Sequence, residues 1–350
     1  MDVRATPKSD LHAAAADRVA FAVLGGGAWG TAMAVALASH GPIRLWCRDP
    51  VQAATLQSAR CNQRLLPGVE LPDAVHVSSD LPAVVAGAPR VALAVPVNAL
   101  RETCRRLREA GTLAPDAALF LLCKGFELAT GELPHRVVSA ELPGHAVFVL
   151  SGPSFAAEVG RGQPTAITLS GATLDSARCE VEAVHTPRLR VYASDDRIGA
   201  EVGGAVKNVI AIAAGISDAL GFGHNARAAL VTRGLAEIAR LGVLLGGQAQ
   251  TVYGLAGLGD LVLTTTSDLS RNRRLGLAVG RGESLQAAVA ALGQVAEGAD
   301  TARAVVRLGR ERGVELPIAE AVCSVLFDGV PAQQVVAALL AREPRAEFGG

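Results

Sequence analysis

Lysine is nearly absent from this chain. Of its 33 basic residues only Lys8, Lys124 and Lys207 are lysines, and all the others are arginines. Aromatic residues make up 3% of the sequence, which excludes the stacking platforms of single-strand nucleic-acid binders. The formal net charge is zero, so the basic excess of a nucleic-acid or anionic-membrane protein is missing. The local cluster Arg271, Arg273, Arg274 is the exception. The six cysteines form no C-x-x-C pair and no metal-ligand spacing, so no metal is expected. Their mostly apolar surroundings suit core thiols in a reducing, cytoplasmic compartment. No apolar run approaches the roughly 18 residues of a membrane span, so no membrane insertion is expected. Internal repeats and low-complexity linkers are also missing. The opening MDVRATPKSDLHAAAADR is a poor signal peptide, and residues 1–17 read as a disordered lead-in.

The lengths and patterns that are present point to two domains. RVAFAVLGGGAWG (18–30) reads as a buried strand entering a glycine-rich turn, followed by a helix that stops at Gly41. IRLWCRD is a second strand, and residues 50–82 form a polar segment with one helix. RVALAVP (90–96), AALFLLCKG (117–125) and HAVFVLSGPS (145–154) are further apolar strands, with an amphipathic helix in NALRETCRRLREAG. TAITLSG and RVYASDD are two later strands. Alternation of helices with fully apolar strands predicts a doubly wound α/β sheet of Rossmann type over 18–197. Beyond it the texture becomes Ala/Leu/Gly-rich helix: 198–220, 225–245, 270–280, 284–292, 299–312 and 317–327. This predicts an all-helical substrate-binding domain over 198–342, then a tail at 343–350. The Ala/Gly-rich helices suit either a core or a homodimer interface.

The turn Gly25-x-Gly27-x-x-Gly30 is weak as a bare pattern and stronger between a strand and a helix. There Gly25 permits the tight turn, Gly27 lets backbone approach a pyrophosphate, and Gly30 lets helix and strand pack closely. The plain alternative is a ligand-free turn. The second strand ends in Cys47-Arg48-Asp49. Arg48 suits the 2′-phosphate of NADP, with Asp49 turned away, although NAD remains open; otherwise Arg48 is a loop cation.

The two internal lysines lie in Gly-rich, apolar stretches, LLCKGFE and EVGGAVKNVIAIAAG. Lysine can lose its proton when desolvated or crowded by another cation, whereas arginine in practice cannot. Lysines kept at these two places therefore suggest chemistry that needs an amine. Compositional drift that spared two surface lysines is the alternative. Lys124 follows a buried strand, at the rim where ligands gather in open α/β sheets, together with the Ser151-Gly152-Pro153-Ser154 turn. Lys207 sits on a helix beside Gly203, Gly204 and Ala211, so its face meets a closely approaching surface or a ligand. Asp260, read as part of a flexible Gly-rich loop, is placed to bind a substrate hydroxyl or pair with a lysine. Ser270-Arg271-Asn272 at a helix start makes an oxyanion clamp of guanidinium, amide and backbone N–H groups, or else a capped, solvated helix. Glu297 alone reads as a helix-capping acid.

Taken together these segments resemble the bacterial NAD(P)-dependent glycerol-3-phosphate dehydrogenases. The resemblance rests on GGGAWG (25–30), CKGFE (123–127), SGPSFAAE (151–158), the long block 201–242, GLAGLGDLVLT (254–264), SRNRRLG (270–276) and VAEG (295–298). It implies interconversion of dihydroxyacetone phosphate and sn-glycerol 3-phosphate with NADP or NAD, feeding phospholipid synthesis. It further implies that Lys207 donates and accepts the proton and that Lys124 contacts both cofactor and substrate. Gly152, Ser154, Asp260, Ser270, Arg271 and Asn272 would bind substrate. Gly25, Gly27, Ala28, Trp29, Gly30, Arg48, Ala156, Arg271, Val295 and Glu297 would line the cofactor. Two positions depart from the family pattern: Ala28 stands where serine is common, and Cys123 where Ser, Thr or Ala is usual. A β-hydroxyacid or ketopantoate-type reductase lacks a reason for the phosphate clamp. A cofactor-sensing regulator lacks a DNA-reading element. A purely structural module leaves both lysines unexplained.

Overall fold

A computed structural model of the chain describes residues 19–293 and 297–341. The expected lead-in at 1–17, the tail at 343–350 and Val295 lie outside the described residues. The chain divides into two compact units. The first ends at Cys123, resumes at Pro134 and runs to Arg197; the second takes Lys124–Leu133 and everything from Ile198.

The first unit is built on one eight-stranded sheet: β1 (Phe21–Leu24), β2 (Ile43–Trp46), β3 (Val75–Ser78), β4 (Arg90–Leu93), β5 (Ala118–Leu121), β6 (Val147–Ser151), β7 (Thr165–Ser170) and β8 (Leu189–Ser194). The spatial order is β3-β2-β1-β4-β5-β6-β7-β8. The first six strands run parallel, with Leu24 level with both Trp46 and Leu93. The order reverses between β1 and β4, the switch point where doubly wound sheets open a crevice for a ligand. β7 runs antiparallel to β6, and β8 is parallel to β7. The expected all-parallel pattern therefore stops at β6.

β1, β5 and β6 are buried along their whole length, as continuous apolar runs covered on both faces must be. Three of the few aromatics pack together here: Phe21 meets Phe120 edge-on at 5.3 Å, and Phe120 stacks on Phe148 at 5.2 Å. β3 was not legible in the polar segment 50–82. It is a short edge strand, VHVS, whose His76 faces solvent, so it carries little apolar signal. That segment also holds the helix Pro50–Ala59, and a short second helix, Leu81–Val85, begins at its end.

Residues 124–133, read from sequence as part of the sheet domain, belong with the helices. Phe126 and Leu133 are buried in the helical core, and Arg307 donates to the Leu128 carbonyl at 3.1 Å. That core centres on the helix Arg197–Ala219, whose Val202, Val206, Val209 and Ile210 are all buried. This helix corrects the expectation that no apolar run is long enough for a membrane. By length and composition it is, but almost all of it is buried inside the protein, as the hydrophobic centre of a helical core would be. Small residues let its neighbours close in. A Cβ on Gly215 would lie 2.1 Å from the Arg273 carbonyl oxygen, and one on Gly276 would lie 2.0 Å from that of Ile212. The helix Arg271–Gly280 thus crosses it backbone to backbone.

The stretch Leu255–Gly259 is a π-helical turn that runs into the helix Asp260–Thr266. From sequence alone Asp260 reads as a residue of a flexible loop. Glycines and β-branched residues disfavour a helix there. The threonines compensate by returning their hydroxyls to carbonyls four residues back: Thr264 to Asp260 at 2.6 Å, Thr265 to Leu261 at 2.8 Å and Thr266 to Val262 at 2.7 Å.

Candidate active site

In the helical unit, Gly203 lies one turn before Lys207 on the helix Arg197–Ala219. A Cβ there would come 2.7 Å from the Ala256 carbonyl oxygen. The small face beside Lys207 therefore accommodates the backbone of the π-helical turn, and this close approach delivers Asp260 to the lysine. Asp260 is 1% exposed and Lys207 7%. The Lys207 ammonium donates to Asp260 Oδ1 at 2.5 Å and to Thr264 Oγ1 at 2.8 Å. Lys124 donates to the other carboxylate oxygen, Oδ2, at 2.5 Å. The two lysines singled out by composition thus share one buried carboxylate. Thr264 was not foreseen; its signal is the spacing Asp260-x-x-x-Thr264, which puts both side chains on one helical face.

Burial is the main force on Lys207 and pushes its pKa down to about 8. The Asp260 charge opposes that fall, and the Lys124 charge adds to it. Both influences that can free a lysine of its proton, desolvation and a neighbouring cation, therefore act on Lys207, and desolvation is the larger. An ammonium poised near pH 8 can give up and recover a proton under ordinary conditions.

Glu297 opens the helix Glu297–Arg312. Burial raises its pKa, while the charges of Arg271, Lys124 and Lys207 pull it back down. Those fields put Glu297 in the same electrostatic neighbourhood as the lysines and the clamp.

Ser270 is the N-cap of the helix Arg271–Gly280, its hydroxyl accepting from the Arg273 N–H at 3.2 Å. Its own N–H, expected to grip a phosphate, donates to the Ser267 carbonyl at 3.2 Å and closes a turn instead. Arg271 and Asn272 supply first-turn N–H groups of that helix. Asn272 is buried, and its Oδ1 accepts from the Gly298 N–H at 3.0 Å, which turns the amide nitrogen the other way. Arg273 is no part of a clamp. Its guanidinium holds Asp218 at 3.0 and 2.7 Å and Asp268 at 2.6 Å, fixing the angle of the helix.

In the sheet unit, Gly25 has φ 126°, and a Cβ there would lie 2.6 Å from the Ala94 carbonyl oxygen. A Cβ on Gly30 would lie 2.0 Å from the Gly25 carbonyl oxygen. Gly27 is different: it caps the helix Ala28–Leu37, and a Cβ there would meet nothing within 4 Å. No protein atom accounts for that glycine, whereas a pyrophosphate resting on the backbone does. The turn fits a dinucleotide. Two braces escaped sequence reasoning: Gln52 donates to the Gly26 carbonyl at 2.8 Å, and Asn62 donates to the same oxygen at 3.1 Å and to Thr31 Oγ1 at 2.9 Å.

Ala28 and Trp29 are half-buried in the first turn of that helix. Arg48 is exposed, while Asp49 is occupied as the N-cap of Pro50–Ala59, accepting from the Val51 N–H at 2.9 Å. After β6, Gly152 has φ 141°, and Ser154 Oγ donates to its carbonyl at 2.9 Å. Ala156 begins the short helix Ala156–Gly160.

Residues 20–177 match the N-terminal family profile of NAD-dependent glycerol-3-phosphate dehydrogenase, and residues 196–337 match the C-terminal one. The chain is 52% identical over 327 residues to a glycerol-3-phosphate dehydrogenase (NAD(P)+) of Thiobacillus denitrificans, covering 93% of this chain and 99% of that protein. The chain belongs to the NAD-dependent glycerol-3-phosphate dehydrogenase family. A solved glycerol-3-phosphate dehydrogenase from Coxiella burnetii superposes with a TM-score of 0.88 at 40% identity, over 92% of this chain and 98% of that one. The enzyme from Saccharomyces cerevisiae superposes with a TM-score of 0.79 at 25% identity, over 91% and 98%.

Proposed function

We propose that Lys207 is the proton donor and acceptor of this enzyme and that Lys124, Asp260, Arg271 and Asn272 assemble the substrate around it. As a family member the chain is an NAD(P)-dependent oxidoreductase that interconverts dihydroxyacetone phosphate and sn-glycerol 3-phosphate, supplying the latter for phospholipid synthesis. The observation that carries the residue assignment is the pair of lysines on one buried aspartate, with Lys207 poised near pH 8.

A bound dinucleotide would supply the hydride that C2 gains on reduction, and would accept it in reverse. Lys207 gives its proton to the C2 oxygen as that oxygen gains charge, and takes it back in the oxidative direction. Lys124 adds a second positive charge beside the same oxygen. Asp260 holds both amines and keeps Lys207 sufficiently protonated at neutral pH. Arg271 and Asn272 grip the phosphate through guanidinium, amide and first-turn N–H groups, with Ser270 shaping that turn. Holding this unreactive end of the substrate aligns the carbonyl with the proton donor. The family resemblance assigns substrate binding to Gly152 and Ser154 as well. The same resemblance assigns dinucleotide binding to Gly25, Gly27, Ala28, Trp29, Gly30 and Ala156, and to Glu297 of the helical unit. Arg48 favours a 2′-phosphate, since Asp49 is committed to capping a helix.

A cytoplasmic location is part of the same reading, supported by six cysteines that are all free thiols. So is a homodimer, supported by the exposed apolar side chains Val243, Leu244, Tyr253 and Val262 on the helical unit. The test is a spectrophotometric assay of dihydroxyacetone phosphate reduction with NADH and NADPH side by side. Oxidation of neither dinucleotide by the purified enzyme would overturn the reading.

A further inference from the structure

The sheet unit contains a cavity of about 400 Å³ that includes none of the residues assigned above. Its apolar floor comes from Val35 and Ala36 on the helix Ala28–Leu37, Val159 on Ala156–Gly160, and Leu189 at the start of β8. Its rim carries Arg161, Gln163 and Arg188. The size lies within the range of about 300–1,000 Å³ typical of small-molecule sites.

The two rim arginines differ from most others in this unit. Arg90 pairs with Glu180, and Arg101 and Arg108 pair with Glu141. Among the described residues, neither Arg161 nor Arg188 has an ion pair or a side-chain hydrogen bond, although Glu158 is only three residues before Arg161. The backbone beneath them is nevertheless fixed. The Thr165 N–H donates to the Arg188 carbonyl at 2.9 Å, and the Gln163 N–H to the Glu158 carbonyl at 3.0 Å. Thr186 Oγ1 accepts from the Arg188 and Leu189 N–H groups at 3.3 and 2.9 Å. Two fork-shaped cations on an ordered rim match a dianionic head that can accept both. The floor beneath them offers apolar surface and no competing charge.

We propose that this cavity binds a phosphate monoester bearing a short alkyl or acyl chain, the phosphate between Arg161 and Arg188 and the chain on the floor. The enzyme's own product has the phosphate but not the chain, so the site discriminates against it. A reaction that acylates glycerol 3-phosphate would generate a ligand with both halves. The site is thereby matched to a later compound than the one the active site makes.

Isothermal titration of the full chain with octyl phosphate, below its micelle concentration, tests this directly. Saturable binding at one site is expected, and Arg161→Gln with Arg188→Gln should weaken it by about tenfold or more, the loss of charged hydrogen bonds. Inorganic phosphate and glycerol 3-phosphate should bind there at least about tenfold more weakly, for want of apolar area. Saturating glycerol 3-phosphate plus dinucleotide should leave the octyl phosphate titration unchanged. No binding, equal binding by the double variant, equal binding of inorganic phosphate, or displacement by substrate and dinucleotide would each overturn the proposal. None of these readouts depends on turnover, so failure here is separable from failure of the assigned reaction.

Discussion

Asp260 accepts from Lys207 through Oδ1 and from Lys124 through Oδ2, each at 2.5 Å, and is itself 1% exposed. One carboxylate therefore holds both amines. Its field raises the Lys207 pKa against the burial that lowers it to about 8. Replacing the charge while keeping the shape, Asp260→Asn, removes the opposing influence. The Lys207 pKa should then fall further, by about one pH unit or more. Reduction requires the ammonium, so its rate declines as pH rises through that pKa. In the variant this declining limb moves to lower pH, and in the oxidative direction the rising limb moves the same way. Rate profiles over pH 6–10 on purified protein check this. A limb that stays in place, or moves upward, contradicts the assignment.

Lys207→Ala should leave a folded enzyme, because Asp260 retains Lys124 as its partner. It should lower kcat by about 10²–10⁴, the usual loss on removing a general acid, with a smaller change in KM for dihydroxyacetone phosphate. Thr264→Val removes the hydroxyl that receives the second Lys207 hydrogen bond, at 2.8 Å. The amine then loses part of its orientation, and kcat should drop by about tenfold, in line with one hydrogen bond to a charged group. Steady-state kinetics beside far-UV circular dichroism separates these effects from unfolding. Turnover of Lys207→Ala within a few-fold of wild type would refute the role.

The legible parts of this protein were those written in short-range chemistry. The apolar runs of β1, β5 and β6 declared a buried sheet, and the glycine turn after β1 declared its ligand-binding end. Lys124 and Lys207 stood out because arginine fills nearly every other basic position. What stayed hidden depends on tertiary packing. Asp260 looked mobile because its neighbours are glycines, yet those glycines are what allow the turn to press on Gly203. The cluster Arg271, Arg273, Arg274 does not show by itself that Arg273 faces Asp218, 55 residues earlier. Gln52 and Asn62 brace a turn 26 and 36 residues away, and nothing in their local sequence announces it.

The glycines of the first turn separate fold from ligand. Gly30→Ala forces a Cβ to 2.0 Å from the Gly25 carbonyl oxygen, so backbone must shift. About 1–3 kcal/mol of stability should be lost, seen as a lower Tm. Gly27→Ala has room, with no atom within 4 Å and backbone angles of φ −77° and ψ 178° that alanine adopts freely. Its stability should stay within about 0.5 kcal/mol of wild type. Its dinucleotide affinity should fall by about tenfold or more, because the methyl group takes the space a pyrophosphate uses. Fluorescence titration with NADH and NADPH reads this out. Wild-type affinity in Gly27→Ala would show that the turn serves packing alone.

Away from the active site, Glu237 is 1% exposed and accepts from the Ile318 N–H at 2.7 Å and the Ala319 N–H at 3.3 Å, so it caps the helix Pro317–Phe327 from a neighbouring helix. Burial raises its pKa from 4.5 to about 7, with the two N–H bonds and Arg240 acting against that rise and Glu320 with it. A carboxyl raised in the folded state binds its proton more tightly there than in the unfolded chain. Its contribution to stability is therefore complete below pH 4.5 and is lost as pH rises through about 7. Glu237→Gln keeps an acceptor oxygen for the helix but cannot titrate. The unfolding free energy of wild type relative to this variant should fall by about 3 kcal/mol between pH 4.5 and pH 8, the size set by the pKa difference. Urea denaturation of both proteins across that range measures it. A difference independent of pH, or one that grows with pH, would mean that the carboxylate is as well accommodated in the fold as in water.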